Sequence, residues 1–243
     1  MILLLDVGNT RIKWSCREAG EWCGQGAVAV HQPESLEAVI AEFRPAWAGV
    51  CCVAGPAVRA RIETLLAGLP SLWLAASGTG HGIVNRYQPP ESLGADRYAG
   101  LVACWRRGQA PCVVASAGTA LTVDALAGDG EFLGGMILPG LGLMRQALGQ
   151  GTAGVAVSAG AWQDFPRSTG DAVETGLLTA LAGAVEAMRQ RLVRESGREA
   201  AVVLAGGDAD RLAGHLACPV SIDRNLVLEG LLWLARDQGV AGA

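Results

Sequence analysis

Lysine is all but missing from this 243-residue chain: of its 19 basic residues, only Lys13 is not an arginine. Charge of either sign is sparse as well. Charged residues make up 17% and hydrophobic ones 51%, with a net charge of −4, which excludes an intrinsically disordered chain and a general nucleic-acid surface. Small molecules and other protein chains remain as partners. The seven cysteines form no CxxC and no Cys/His metal spacing, so they read as reduced, small core residues. The three histidines, His31, His81 and His215, are scattered. No Walker A sequence and no G-x-G-x-x-G occurs, so a phosphate site would have to be built another way. Long apolar runs are also lacking. The longest uncharged stretch, Thr64 to Asn85, is interrupted by Pro70, His81 and several glycines, and Met1 to Leu5 lacks the basic flank and the length of a signal peptide. No membrane association and a cytoplasmic location are expected.

What is present begins at the first residue. Met1 to Trp14 reads MILLLDVGNTRIKW: an apolar run too short for a helix, an acid at its end, and a tight turn. After the turn, polar and apolar residues alternate as in a strand. Gly8 can take the positive φ that such a turn needs and lets backbone N–H groups approach a ligand oxygen. On this stretch alone an ordinary hairpin is an equally good reading, because Asp-x-Gly-Asn is good turn chemistry without any ligand. The pattern recurs, however. Pro111 to Asp124 reads PCVVASAGTALTVD, and aligning Gly8 with Gly118 places Asp6 over Ser116. Two copies of one phosphate-turn hairpin imply two similar domains facing a nucleotide cleft. Lys13, the single ammonium of an arginine-rich chain, stands on the strand leaving the first turn, where a compact point charge suits phosphate.

Between and after the hairpins, helical and strand patterns alternate, which argues for an α/β protein. Glu34 to Phe43 and Val58 to Leu69 read as amphipathic helices, and Val50 to Ala54 and Leu72 to Ala75 as short strands. Ser168 or Thr169 caps the longest helix, which carries Val173, Leu177, Leu181, Val185, Met188 and Leu192 at helical spacing. Thr152 to Pro166 gives no clear period. The expected division is 1–108 and 109–243, each half holding one hairpin. The last helix, Leu226 to Leu234, is apolar on several sides and needs a partner surface, for which the first half is one candidate.

Tyr87 to Arg97 reads YQPPESLGADR. Gly94 frees the backbone, Asp96 offers a carboxylate, and Arg97 offers a planar cation able to bind a carboxylate bidentately. By itself Asp96-Arg97 is also an ordinary helix start with an acid in its first turn. The ordered set is far more specific than any one motif. Asp6-Val7-Gly8-Asn9-Thr10, then Tyr87, Pro90 and Leu93 to Arg97, then Gly118-Thr119-Ala120 with Thr122, then Gly134-Gly135, Pro139-Gly140, and Ser168-Thr169 with Asp171-Ala172 resemble type III pantothenate kinase, a family that includes the Bvg accessory factors. The resemblance runs collinearly over nearly the whole chain.

The resemblance implies the duplicated actin-like fold of the acetate and sugar kinase and heat-shock ATPase superfamily, with two ribonuclease-H-like domains. It also implies a homodimer and ATP-dependent phosphorylation of pantothenate at its primary hydroxyl, the first step of coenzyme A synthesis. Carried over by position, Asp6, Val7, Gly8, Asn9, Thr10, Arg11, Ile12 and Lys13 would form the first phosphate loop, and Gly118 and Thr119 would meet ATP in the second. Tyr87, Gly94, Ala95, Asp96, Arg97 and Thr169 would bind pantothenate, with Asp96 as the catalytic proton acceptor. Asp6 would hold Mg²⁺ through water, since that ion keeps much of its hydration shell. One departure stands out: members of the family usually carry Asp at Ser116, where it binds a monovalent cation such as K⁺ or NH₄⁺, and a serine hydroxyl is a poor substitute. The other readings are a regulatory protein of this fold that binds nucleotide or pantothenate without catalysis, and an exopolyphosphatase-like hydrolase.

Overall fold

Ile2–Val7 forms the first strand, β1, and lies at the centre of a five-stranded sheet, which is why every residue in it except Asp6 is fully buried. The computed structural model describes residues 1–152 and 160–240. They divide into two compact units, one of Met1–Arg107 with the chain from Asn225 on, the other of Gly108–Arg224.

In the first unit β1 turns back through β2 (Arg11–Glu18) and β3 (Glu21–Ala29) as an antiparallel meander. The helix α1 (Leu36–Phe43) then leads to β4 (Trp47–Cys52), parallel to β1, and α2 (Pro56–Leu65) leads to β5 (Ser71–Trp73), parallel to β4. The strand order is β3-β2-β1-β4-β5. The period of two divides β1 between its faces: Leu3, Leu5 and Val7 join Leu36, Val39 and Ile62 of the two helices in one apolar cluster. Ile2, Leu4 and Asp6 therefore take the other face. A small hairpin, β6 (Thr79–Gly80) and β7 (Ile83–Asn85), precedes α3 (Ala95–Arg106).

The second unit repeats the plan. Its strands β8 (Cys112–Ala117), β9 (Ala120–Leu126) and β10 (Glu131–Pro139) form an antiparallel meander. The helices α4 (Leu141–Gly151) and α5 (Thr169–Ser196) follow, then β11 (Ala201–Ala205), α6 (Ala209–Ala213) and β12 (Val220–Ile222). The order β12-β11-β8-β9-β10 is that of the first unit read backwards, with the same parallel and antiparallel pairings. Asp6 and Ser116 are both the fifth residue of the first strand of their unit. Inward-facing residues of α5, among them Leu177, Leu181, Val185 and Leu192, share a core with Val113, Ala115, Val123 and Val202. Of the stretch Thr152 to Pro166, residues 153–159 lie outside the described residues.

The last helix, α7 (Leu226–Asp237), returns to the first unit and packs on α3, β1 and β4. A Cβ at Gly230 would fall 2.1 Å from the carbonyl oxygen of Ala99, so glycine there is what allows the two helices to touch backbone to backbone. Sandwiched in this way, Leu226, Leu228, Leu231, Leu232 and Leu234 are all buried, which explains an apolar pattern on several sides of one helix. Ion pairs from Arg107 to Glu229 and from Arg106 to Asp237 close the edges.

Element bounds differ from the sequence pattern in places. The expected strand at Val50 to Ala54 starts earlier, at Trp47, and the second helix stops at Leu65, where the chain leaves the helical conformation at Leu66. Cys16, Cys51, Cys104 and Cys112 are buried as expected of core thiols; Cys23, on the outer strand β3, is exposed instead.

Candidate functional site

The first hairpin folds as the register demands: Val7 pairs with Ile12 and Asp6 with Lys13, leaving Gly8 to Arg11 as the connection. Gly8 donates its N–H to the Arg11 carbonyl at 3.1 Å. It does not use a positive φ, contrary to expectation. Its reason is space, since a Cβ would stand 3.3 Å from the same carbonyl oxygen, tighter than side chains normally tolerate. The neighbouring strand closes from below, with the Val53 and Ala54 N–H groups on the Val7 carbonyl.

Asp6 shares its face of the sheet with Leu4, on the side covered by α3 and α7, and α3 begins with Asp96. The charge of Asp96 reaches Asp6. Burial pushes the Asp6 carboxyl up to about 6, the Lys13 ammonium opposes this, and the charge of Asp96 adds to it. Asp96 is raised too, chiefly by burial, against the Arg97 N–H and the Arg97 charge, which lower it. Cys51, the β4 neighbour of Asp6, is buried and held far into the thiol form by burial and both acids.

Asp96 lies in the first turn of α3, whose N-cap is Gly94, and its Oδ1 accepts the Arg97 N–H at 2.9 Å. A Cβ at Gly94 would be 2.7 Å from that same oxygen. Glycine here makes room for the Asp96 carboxylate rather than supplying an unusual φ. Arg97 is almost wholly buried; its guanidinium stands 5.2 Å from the Tyr87 ring centroid and 3.3 Å from the Tyr87 hydroxyl, to which it donates. The chain pattern did not reveal Asn85, which holds Tyr87 in place. Its buried side chain donates to the carbonyls of Ser77 and Pro90 at 3.1 and 3.0 Å and accepts the Tyr87 N–H at 2.9 Å. The signal was available in the residue type, because one Asn amide can serve two carbonyls and an N–H at once.

The second hairpin has the same form with a connection one residue shorter: Ala117 pairs with Leu121, and Gly118 donates to the Ala120 carbonyl at 3.0 Å. Two backbone contacts grip it. Gly140, before α4, donates to the Thr119 carbonyl at 2.9 Å, and Asp208 donates to the Ala117 carbonyl at 3.0 Å. Both approaches require glycine: a Cβ at Gly140 would be 2.1 Å from the Gly118 carbonyl oxygen, and one at Gly206 would be 2.2 Å from that of Ala117. Thr169 opens α5 behind its N-cap Ser168, whose Oγ accepts the Asp171 N–H at 3.1 Å. Of the predicted residues, Asp6 to Lys13, Tyr87 and Gly94 to Arg97 thus lie together in the first unit, while Ser116, Gly118, Thr119 and Thr169 belong to the second.

Among the described residues no group of three or more His, Cys, Asp and Glu side chains is poised to hold a metal. A lone, partly buried carboxylate with a second acid nearby suits a hydrated Mg²⁺ that arrives with phosphates, which needs one or two protein oxygens rather than a cage.

The comparisons agree with one another. The profile of the type III pantothenate kinase family matches residues 2–191. A type III pantothenate kinase of Thiobacillus denitrificans is 43% identical over 242 residues, 98% of this chain and 97% of its own length, and one of Azoarcus sp. is 44% identical over 241 residues, 97% and 90% of the two chains. Among solved structures, a Baf family protein of Campylobacter jejuni, described as a transcriptional activator, superposes with a TM-score of 0.63 at 21% identity over 98% of each chain. A protein of Sinorhizobium meliloti described as a 2-dehydro-3-deoxygalactonokinase gives 0.65 at 15% identity, over 98% of this chain and 99% of its own. At those identities the structures speak for the fold, the duplicated one of the actin-like sugar kinases. Full-length identity above 40% speaks for more, and it is to the type III pantothenate kinase family that this chain belongs.

Proposed function

We propose that the chain carries out the ATP-dependent phosphorylation of pantothenate to 4′-phosphopantothenate, at the entry to coenzyme A synthesis, with Asp96 as the proton acceptor. The observation that carries the assignment of roles is the grouping of Asp6, Lys13, Asp96, Arg97 and Tyr87 in one unit, with the charge of Asp96 acting on Asp6. The substrate hydroxyl oxygen attacks the γ-phosphorus, its proton passes to an Asp96 carboxylate oxygen, and the bond from the γ-phosphorus to the bridging oxygen breaks toward ADP. A carboxyl raised above its ordinary value is a better acceptor for that proton than a solvated one. The Arg97 guanidinium binds the pantothenate carboxylate beside the Tyr87 ring. In the first unit Lys13 and the backbone N–H groups of the turn bind phosphate, and in the second unit Thr119 meets ATP; positioning of this kind supplies most of the catalysis in phosphoryl transfer. Mg²⁺, bound through water to Asp6, would neutralise phosphate charge.

The relatives named above carry the name of a kinase, which does not favour a binding-only protein or a hydrolase. No helix among the described residues is long and apolar enough to cross a membrane, and a cytoplasmic enzyme fits its soluble substrates. The homodimer joins through α5, whose outward face carries the small residues Ala172, Gly176, Thr179, Ala180 and Gly183, over which a second copy could approach closely. At micromolar concentration ultracentrifugation should give twice the 25.0 kDa chain mass, and a monomer would refute the dimer. The decisive assay couples ADP release to a reporter with and without pantothenate and identifies the product by mass. ATP turnover that ignores pantothenate would overturn the assignment.

A further inference from the structure

Glu174 lies in the first third of α5, on the face turned toward the core of the second unit, and only 5% of it is exposed. A buried carboxylate is costly unless it is paired, and this one is paired twice, each oxygen with a different partner: Oε2 with Arg145 of α4 and Oε1 with Arg211 of α6. Among the described residues of this unit, Glu174 is the carboxylate that joins two other helices through ion pairs. What the two helices have in common is where they begin. Gly140, immediately before α4, is bonded to the Thr119 carbonyl, and Asp208, immediately before α6, to the Ala117 carbonyl. Arg211 also reaches back to Asp208 Oδ1 at 3.3 Å. The ion pairs Arg145–Glu174, Glu174–Arg211 and Arg211–Asp208 therefore tie together the two segments whose backbones hold the flanks of the turn at residues 117–119, the first turn of α4 linking Gly140 to Arg145.

We infer that Glu174 is a positioning residue for the ATP half of the reaction: it sets the spacing of α4 and α6, and through Gly140 and Asp208 the shape of the second phosphate turn. This rests on the reading that the turn meets ATP. Replacing a buried ion triad by apolar groups is often neutral for stability, so a triad that ties two loop-bearing helices to one point is better understood as fixing geometry than as adding stability. Because the backbones of Gly140 and Gly206 touch the turn with no side chain between, a small shift of either helix is passed to it directly.

The test compares Glu174→Gln, Arg145→Met and Arg211→Met with the unaltered protein, by steady-state kinetics in each substrate and by calorimetric titration with a non-hydrolysable ATP analogue. Each variant should raise the KM for ATP and weaken the analogue by about 2- to 30-fold, while the KM for pantothenate stays within about twofold. Glu174→Gln combined with Arg211→Met should do no more harm than the worse single change, because both break one chain. A fall in thermal midpoint with the ATP parameters untouched, or equal losses in both substrates, would make Glu174 merely structural and overturn the inference. Arg145 is only partly buried, so its variant carries the same test should Glu174→Gln not fold. Gly118→Leu, measured alongside, separates this from the reading beneath it, since a Cβ there meets nothing closer than 3.8 Å. If Gly118→Leu leaves analogue binding unchanged, the turn does not meet ATP and both ideas fall; if it weakens binding while Glu174→Gln does not, only the role of Glu174 falls.

Discussion

Changing Asp96 to Asn tests the proton acceptor with the least disturbance, because Asn keeps the shape and can still accept the Arg97 N–H that Asp96 Oδ1 accepts now at 2.9 Å. Removing a positioned general base lowers the rate by about 10²–10⁴, or roughly 3–5 kcal/mol of barrier. The structure adds a second, independent way to disturb the same oxygen. In Gly94→Ala the new methyl would sit 2.7 Å from Asp96 Oδ1, so the carboxylate has to move by more than half an ångström while its charge stays. Misplacement on the order of 1 Å costs about 10²-fold, and the loss should appear in kcat with the KM for ATP unchanged. The pH profile makes the test sharper. With the proposed roles, two carboxyls above their ordinary range should shape the acid limb of kcat/KM, Asp96 and Asp6, the latter at about 6 partly because of the Asp96 charge. Asp96→Asn removes that charge, so the residual activity should lose its acid limb at a lower pH than the unaltered enzyme does. Progress curves for ADP release from pH 5 to pH 9 would show it. Near-normal turnover of Asp96→Asn, or an acid limb that does not move, would refute the assignment.

Arg97→Ala should raise the KM for pantothenate by about 10- to 100-fold, as for loss of a charged hydrogen bond, and leave that for ATP alone; an unchanged pantothenate KM would remove Arg97 from the substrate carboxylate. Asp6→Asn should abolish activity yet melt at a higher temperature at pH 7.5. A carboxyl at about 6 folded and 3.8 unfolded holds its proton better when folded, so its favourable contribution is complete below about pH 4, fades as the pH rises through 6, and leaves a penalty of about 3 kcal/mol at neutral pH that Asn does not incur. Equal melting of the two proteins at pH 7.5 would contradict the burial argument, and a difference that persists at pH 4 would show another cause. Activity should depend little on K⁺ or NH₄⁺, since Ser116 offers a dipole where a carboxylate would be needed to offset the ion's lost hydration; initial rates against KCl at constant ionic strength, balanced with a large organic cation, decide this, and strong activation would refute it.

The parts of the fold that could be read in the chain are those where local pattern and tertiary role coincide. An apolar run ending in Asp6, then a turn, then alternation is a hairpin on any reading, and its repetition at Ser116 already carried the duplication that the mirrored strand orders display. The capped start of α5 was legible because Ser168 acts on its own neighbours. What could not be read depends on who lies opposite. Gly140 and Gly206 look like turn glycines in the sequence, and only the carbonyls pressed against them reveal why no side chain fits. Glu174 sits among the apolar residues of α5 with the partners Arg145 and Arg211 far away along the chain. Gly8 and Gly94 were foreseen as important for conformational freedom, and both turn out to serve by making space.

The two units share a plan but divide the electrostatic work unequally. In the first, Asp6 and Asp96 face Lys13 and Arg97, so the cluster is neutral when all four are ionised, yet burial holds both acids above their ordinary range. Such a site tolerates the acids only with difficulty and gains when positive charge arrives. ATP brings the opposite, several negative oxygens, and would push the acids higher still unless a divalent cation came with it. With the proposed roles, binding of nucleotide and of its metal should be coupled through Asp6, and the same cation would help to keep Asp96 ionised and able to take a proton. In the second unit Ser116 adds no charge at the matching position, and the turn is held by backbone bonds from Gly140 and Asp208. If the second turn meets ATP as proposed, an acid at Ser116 would add another negative charge near the phosphates and call for its own cation, whereas the serine would let the turn meet them without one.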